Sequence, residues 1–239
     1  MEKPLGAFEK CRQYIELHSN ENQKEAGKNS PGPCITISRE TGSAAEVLNE
    51  YLLDFFRAFK KPPTGDWAVF DKNLIQKVIE DHHLPEKISE YMKEDKYSNL
   101  SSAVREMLGL HPPQWSLIQK TTETVLQLAR MGYVVIVGRA GNIITSKLAN
   151  AFHVRLISPE EDRIENCEKY YNLSRKEAAE FIKKEETARK NYVLSNFHQR
   201  VDDPLLYNLV INTHRLTFEE VAYIIGSAVI NRHSGLFTE

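Results

Sequence analysis

Residues 133–138, YVVIVG, constrain the fold more than any other stretch of this chain. The run is apolar and rich in β-branched residues, with no polar face. It therefore reads as a strand buried on both sides, which belongs in a parallel sheet covered above and below by helices. The rest of the chain follows the same grammar. CITIS at 34–38, WAVFD at 67–71, FHVRLIS at 152–158 and YNLVIN at 207–212 are further short strand runs. Amphipathic helical segments lie between them. Val47, Leu48, Tyr51, Leu52, Phe55, Phe56 and Phe59 form one broad apolar face after the first strand. KPPTGD breaks that helix, and Gly132 stops the one at 116–130. Residues 160–196 are charged and helical with a break at 171–174, where Ser174 and Glu177 form a capping box. Thr217 and Glu220 repeat that signature before the last helix. The fold class is α/β, with about five parallel strands and a helical excursion at 72–130. Right-handed crossovers bring the strand ends to one edge, where ligands bind.

The 239 residues suffice for one such domain. We divide the chain into an arm at 1–33, a domain at 34–230 and a tail at 231–239. Within the arm, AFEKCRQYIELH at 7–18 carries a rough helical stripe of Phe8, Cys11, Tyr14, Ile15 and Leu17. That stripe needs cover, either from its own domain or from a second subunit in a homodimer. A net charge of -2 gives no case for a nucleic-acid or membrane partner. No apolar run spans a bilayer, and MEKPLGAFEK has no signal-peptide core. Three widely spaced cysteines form neither a disulfide framework nor a zinc knuckle, so a reducing, cytoplasmic setting is expected.

A strand, a glycine-containing turn and a helix can hold a phosphate on backbone N–H groups and a helix N-terminus. Residues 35–48 have that order, with Gly42 and Ser43 in the turn, but they fail the GxxxxGK[ST] pattern and lack its lysine. On the motif alone, an ordinary strand–turn–helix joint is the stronger reading. Several ordered blocks extend the comparison: CITISRETGS, LGLHPPQW, VVIVGRAGNIIT, FHVRLISPEEDRIE, the charged stretch through EETARKNY, and DDPLLYNLVINTHR. Together they resemble the cytidylate-kinase-like family, from Cys34 to about Ile230.

The resemblance implies a P-loop NTPase-type three-layer fold with a central parallel sheet, a helical substrate region and a mobile lid at about 160–196. It implies ATP-dependent phosphorylation of a nucleoside monophosphate, CMP by family name, with Mg²⁺ arriving on the ATP. Residues Gly42, Ser43, Ala44, Ala45 and Glu46 would then meet the donor phosphates, with Ala44 and Ala45 standing where the family has glycines. Gly138 and Arg139 match the family GRG pattern, with Ala140 at its second glycine. Glu186, Arg189 and Tyr192 match its acidic–arginine–tyrosine lid motif. Asn208 replaces an aspartate of the late strand.

Most candidates have a plain alternative. Arg139 holds an acceptor phosphate or pairs with a helix acid. Arg39 substitutes for the missing lysine or forms a surface salt bridge. Arg189 neutralises the transferring group or is a solvated lid charge. Arg163, on the helix after FHVRLISP, meets the nucleotide base or phosphate from the lid root. Asp71 orients a hydroxyl or caps the next helix. Trp67 and Trp115 read as core anchors. Adjacent His82 and His83 point to different helix faces, and no protein-only metal cage is expected. Ser38, Ser43 and Ser195 lack a base–orienter constellation, which excludes a hydrolase triad. Two functions stay open: a phosphotransferase, and a non-catalytic nucleotide-binding or regulatory protein with a degenerate kinase site.

Overall fold

A computed structural model describes residue 14 and residues 31–43, 45–58, 66–73, 75, 77 and 113–237. Five strands form one sheet in the order β2-β3-β1-β4-β5, and every pairing in it is parallel. They are β1 (Cys34–Arg39), β2 (Ala68–Phe70), β3 (Val134–Val137), β4 (Ala151–Ile157) and β5 (Leu209–Asn212). Each matches one of the strand runs read from the sequence. The helices are α1 (Ala45–Arg57), α2 (Pro113–Met131), α3 (Gly141–Ile144), α4 (Glu160–Tyr171), α5 (Arg175–Phe197), α6 (Phe218–Arg232) and α7 (Ser234–Phe237).

β3 is buried along its whole length, as a strand with two apolar faces must be. Its neighbour β1 sits at the centre of the sheet. Side-chain alternation divides the core in two. Cys34, Val134 and Ile136 face a layer that includes Leu128 of α2, Ile143 of α3 and Phe197 of α5. Ile35, Ile37, Val135 and Val137 face Leu48, Leu52 and Phe56 of α1 and Val221 and Ile225 of α6. This is the three-layer arrangement. Trp67 stacks on Phe56 at 4.0 Å and is buried, an anchor in the second layer.

Both capping boxes are present, Ser174 with Glu177 and Thr217 with Glu220. Gly132 ends α2 with φ 78, and a Cβ there would press into the backbone of Gly32. Of the apolar stripe in the arm, Tyr14 is the residue described: it is buried, its hydroxyl donates to the Gly132 carbonyl, and its ring meets Phe70 edge-on at 5.7 Å. The remainder of the 7–18 stripe, His82, His83, the Trp115 side chain and the middle of the 72–130 excursion lie outside the described residues.

The path from β1 leads out to β2 and back to β3. It then crosses over β1 to β4, so the direction of winding reverses between β1 and β3. In open parallel sheets the crevice beyond the carboxyl ends at such a reversal is where ligands bind.

Candidate functional site

A cavity of about 270 Å³ lies at this reversal. Its walls are the ends of β1 (Thr36 to Arg39), the turn after β3 (Gly138 to Asn142), Lys72 after β2, and the inner face of α5 from Glu185 to Val193. Arg39, Lys72, Arg139 and Arg189 bring positive charge to it, against the single carboxylate of Glu185. Such a wall favours an anion with more than one negative charge.

The turn after β3 has an unusual backbone. Gly138, Arg139 and Ala140 follow one another with φ of 79, 53 and 55. The turn is closed by Gly138 N–H donating to Ile37 O at 2.9 Å and Gly141 N–H donating to Gly138 O at 3.0 Å. Only Gly138 takes this conformation without steric cost. Arg139 and Ala140 each carry about 1–2 kcal/mol of left-handed strain. The missing side chain of Gly138 has a second use: a Cβ there would stand 2.6 Å from Nη1 of Arg39. The Nη1 end of the Arg39 guanidinium therefore rests against the turn. Arg139 lines the cavity, and its Nε is buried with no partner. Asn142 is 5% exposed on the same wall, and its Nδ2 is likewise unpaired. Unpaired buried donors of this kind are rare and call for an acceptor. Burial pushes the phenol of Tyr192 up, while the neighbouring Arg139 guanidinium opposes that shift.

The turn at 40–43 is bound to its own protein. Gly42 has φ 86, and a Cβ there would meet the Arg163 carbonyl oxygen at 2.4 Å, so α4 packs directly on the glycine. Asn166 Nδ2 donates to Gly42 O at 2.8 Å. Ser43 N–H donates to Glu40 O at 3.2 Å, and the Ser43 hydroxyl donates to the same carbonyl at 2.8 Å. Thr41 N–H donates to Glu186 Oε1 of α5 at 2.6 Å. Arg189 Nη1 reaches Arg39 O at 2.9 Å, Glu186 Oε1 at 3.1 Å and Thr41 Oγ1 at 3.2 Å. Helix α5 thus holds the turn through one arginine and one carboxylate. Glu40 in turn accepts from Ser158 N–H at 3.0 Å, and Arg163 Nε lies 3.7 Å from its carboxylate and donates to Ser158 O.

A second cavity of about 210 Å³ opens beyond Ser43, between Asp162, Glu165 and Asn166 of α4 and Thr213, Leu216 and Phe218 after β5. His214 Nδ1 lies 2.6 Å from Asp162 Oδ2 beside it. The 40–43 turn therefore stands between two hollows, with Arg39 lining one and Ser43 the other.

Arg39, Arg139 and Arg189 come together in the first cavity. Gly42 and Ser43 lie behind them, and Arg163 of α4 faces Glu40. Ala44 and the side chains of Ala45 and Glu46 lie outside the described residues. Asp71 Oδ1 accepts from Asn73 N–H at 2.9 Å, the capping geometry, and it is the next residue, Lys72, that lines the cavity. Sequence reasoning passed over Lys72 and Asn142 and weighed Ser38 only as a nucleophile. The signal for all three was position, since each lies at or just past the carboxyl end of a strand. Asn208 accepts from His153 N–H through Oδ1 at 2.8 Å, and its own N–H donates to His153 O at 2.8 Å. An aspartate could accept equally well there, so the amide keeps the strand-end pairing. Among the described residues no three His, Cys, Asp or Glu side chains gather as a metal cage. No described helix is long and apolar enough to cross a membrane.

The model of the cytidylate kinase-like family matches residues 34–215. No curated protein matches the chain. The solved structure of an uncharacterized protein from Eubacterium ventriosum is similar in fold, with a TM-score of 0.65 and 16% identity over 83% of this chain and 98% of that one.

Proposed function

The chain belongs to the cytidylate kinase-like family, and on that premise we propose that it is an ATP-dependent phosphotransferase with a nucleoside monophosphate, CMP, as acceptor. The observation that carries this reading is the cavity at the sheet reversal, with four basic side chains against Glu185 and an unpaired Arg139 Nε. It has the charge for a phosphate monoester dianion and the volume for a small nucleotide. Arg139 grips the acceptor phosphate, with Arg39 and Lys72 beside it. Residues 42–46 meet the donor phosphates, so the 40–43 turn lies where the phosphates of the two substrates face one another. ATP supplies the transferred phosphoryl group, with Mg²⁺ bound to its phosphates. The chain's own contribution is alignment and charge, since phosphoryl transfer needs no covalent nucleophile.

The fit is better at the acceptor end than at the donor end. The N–H groups of Thr41 and Ser43 are engaged by Glu186 and by the Glu40 carbonyl. A donor phosphate reaches Thr41 only after Glu186 leaves. The same observation favours a second reading, a nucleotide-binding protein that has lost transfer and uses the first cavity alone.

A coupled ADP-release assay against a panel of nucleoside monophosphates separates the two. The phosphotransferase reading expects acceptor-dependent turnover with CMP. It also expects Arg139→Ala to lower that turnover by about a hundredfold, the usual loss for one well-aimed charge. Calorimetric binding of CMP without turnover for any acceptor selects the second reading. Absence of both binding and turnover rejects both.

A further inference from the structure

Behind the first cavity lies a cation that the proposed chemistry does not use. Arg155 of β4 is only 5% exposed. Its contacts are Nη1 donating to Ser38 Oγ at 3.2 Å and its guanidinium over the Tyr207 ring at 5.7 Å. Among the described residues no carboxylate pairs with it. A charge taken out of water without a counter-ion is strongly disfavoured, so its retention needs a reason.

Proton counting supplies one. Ser38 Oγ accepts from Arg155. Tyr207 Oη lies 2.7 Å from the Val201 carbonyl, which can only accept, so the single phenolic proton goes there. Tyr207 Oη is also 3.2 Å from Ser38 Oγ. That contact must therefore be made with the proton of Ser38. The chain of donors runs Arg155 to Ser38 to Tyr207 to Val201. Ser38 is a wall residue of the cavity. Its hydroxyl is thus polarised by a cation on one side and has a replaceable acceptor on the other. Turning away from Tyr207 leaves that phenol fully bonded to Val201 and points a strengthened donor into the cavity.

We infer that Ser38 is a further anion-binding residue of this cavity, donating to a phosphate oxygen of the occupant, with Arg155 as the positioning residue that polarises it. The inference rests on the reading of the cavity as the acceptor-phosphate site and adds the residues that read the phosphate without contributing a charge of their own to the wall.

The test is titration calorimetry of the full chain with three probes: inorganic phosphate, CMP, and cytidine, which lacks the phosphate. Ser38→Ala should weaken inorganic phosphate and CMP about tenfold, the loss expected for a hydrogen bond to a charged group, and leave cytidine unchanged. Ser38→Thr, which keeps the hydroxyl, should bind phosphate within about twofold of the parent by the same measure. Arg155→Met should weaken phosphate by a similar factor, and combining it with Ser38→Ala should add little, because both act through one hydroxyl. Arg155→Lys serves in its place if the Met variant does not fold, with partial retention of affinity expected.

Several results overturn the inference. They are unchanged phosphate affinity in Ser38→Ala, loss of cytidine in parallel with CMP, and losses that multiply in the double variant. No binding of inorganic phosphate to the parent protein also overturns it. Parent protein that binds inorganic phosphate through Ser38 but ignores CMP and every other nucleoside monophosphate leaves the inference standing and removes the nucleotide reading.

Discussion

Two glycines at the site share a backbone conformation and differ in what surrounds them, which makes them a controlled pair. Gly42 has φ 86 and Gly138 has φ 79. An alanine at either position pays the left-handed penalty, about 1–2 kcal/mol. Both substitutions also stiffen the unfolded chain by the same amount, so that effect cancels in the comparison. The new Cβ atoms meet different neighbours. At Gly138 the obstacle is Arg39 Nη1 at 2.6 Å, the far end of a flexible side chain that can step aside. At Gly42 it is Arg163 backbone, with the carbonyl oxygen at 2.4 Å and the carbonyl carbon at 2.9 Å. That backbone belongs to α4, which cannot shift without disturbing Ile164 and Cys167 in their own small core. Overpacking against such a wall costs about a further 1–3 kcal/mol. For a domain of this size each kcal/mol moves the melting temperature by about 2–4 °C. Gly138→Ala should therefore melt roughly 2–8 °C below the parent, and Gly42→Ala a further 2–12 °C below that. Differential scanning calorimetry of the three proteins gives the numbers. Their functional signatures should reverse: Gly138→Ala displaces Arg39 from the turn and weakens phosphate binding while melting little. Equal melting shifts, or a larger one for Gly138→Ala, would refute the view that α4 seats directly on the 40–43 turn.

Glu186→Gln keeps an acceptor for Thr41 N–H but removes the internal anion; affinity for inorganic pyrophosphate should rise about threefold to tenfold, the difference between a charged and a neutral hydrogen-bond partner, and calorimetric titration showing no rise would mean that the Glu186 carboxylate does not compete with ligands. His153 is buried against Thr36 at 2.8 Å, and burial, with Arg232 adding to it, pushes its imidazole down to about 4. The unfolded chain, with its histidine near pH 6.5, then binds more protons than the folded one between about pH 6.5 and 4, so stability falls as pH drops through that window, by at most roughly 3 kcal/mol from this group; urea unfolding at pH 7 and pH 4.5 should show a smaller fall in His153→Asn than in the parent. Removing residues 1–32 strips Tyr14 from Phe70 and should lower the melting temperature by about 6–20 °C, since loss of a buried aromatic costs about 3–5 kcal/mol; sedimentation of both lengths tests the homodimer proposal, and identical monomer masses reject a dimer built by the arm.

The fold was legible because each strand announces itself through local composition. YVVIVG has no polar face to leave exposed, and the sheet places it between β1 and β2 with helices on both sides. The helix starts at 175 and 218 were legible because capping is a contact over three residues. The site was legible only in its arginines, since charge type survives in a linear string. The occupation of Thr41 N–H by Glu186 joins residues 145 positions apart. The Ser38–Arg155 contact spans 117. No spacing rule reaches across such distances. Asp71 and Lys72 illustrate a finer failure: adjacent residues at a strand end diverge in direction, and sequence alone gave no way to choose the one facing the cavity.

The two functional readings differ in what the lid has to do, and the bonds around the 40–43 turn make that difference concrete. Arg189 and Glu186 are spent together: one holds Arg39 O and Thr41 Oγ1, the other holds Thr41 N–H, and they hold each other at 3.1 Å. A ligand phosphate that takes Thr41 N–H displaces the carboxylate, and with it the partner that keeps Arg189 turned toward the main chain. Donor binding and the freeing of Arg189 are then one event. On the phosphotransferase reading, the cationic side chain would become available to the transferring group only when a donor is present. The acceptor cavity needs no such change, because Arg39, Lys72 and Arg139 already face it. On the phosphotransferase reading donor affinity is therefore coupled to the release of Glu186 from Thr41 N–H, whereas a protein that only binds nucleotide in the first cavity can leave that contact in place.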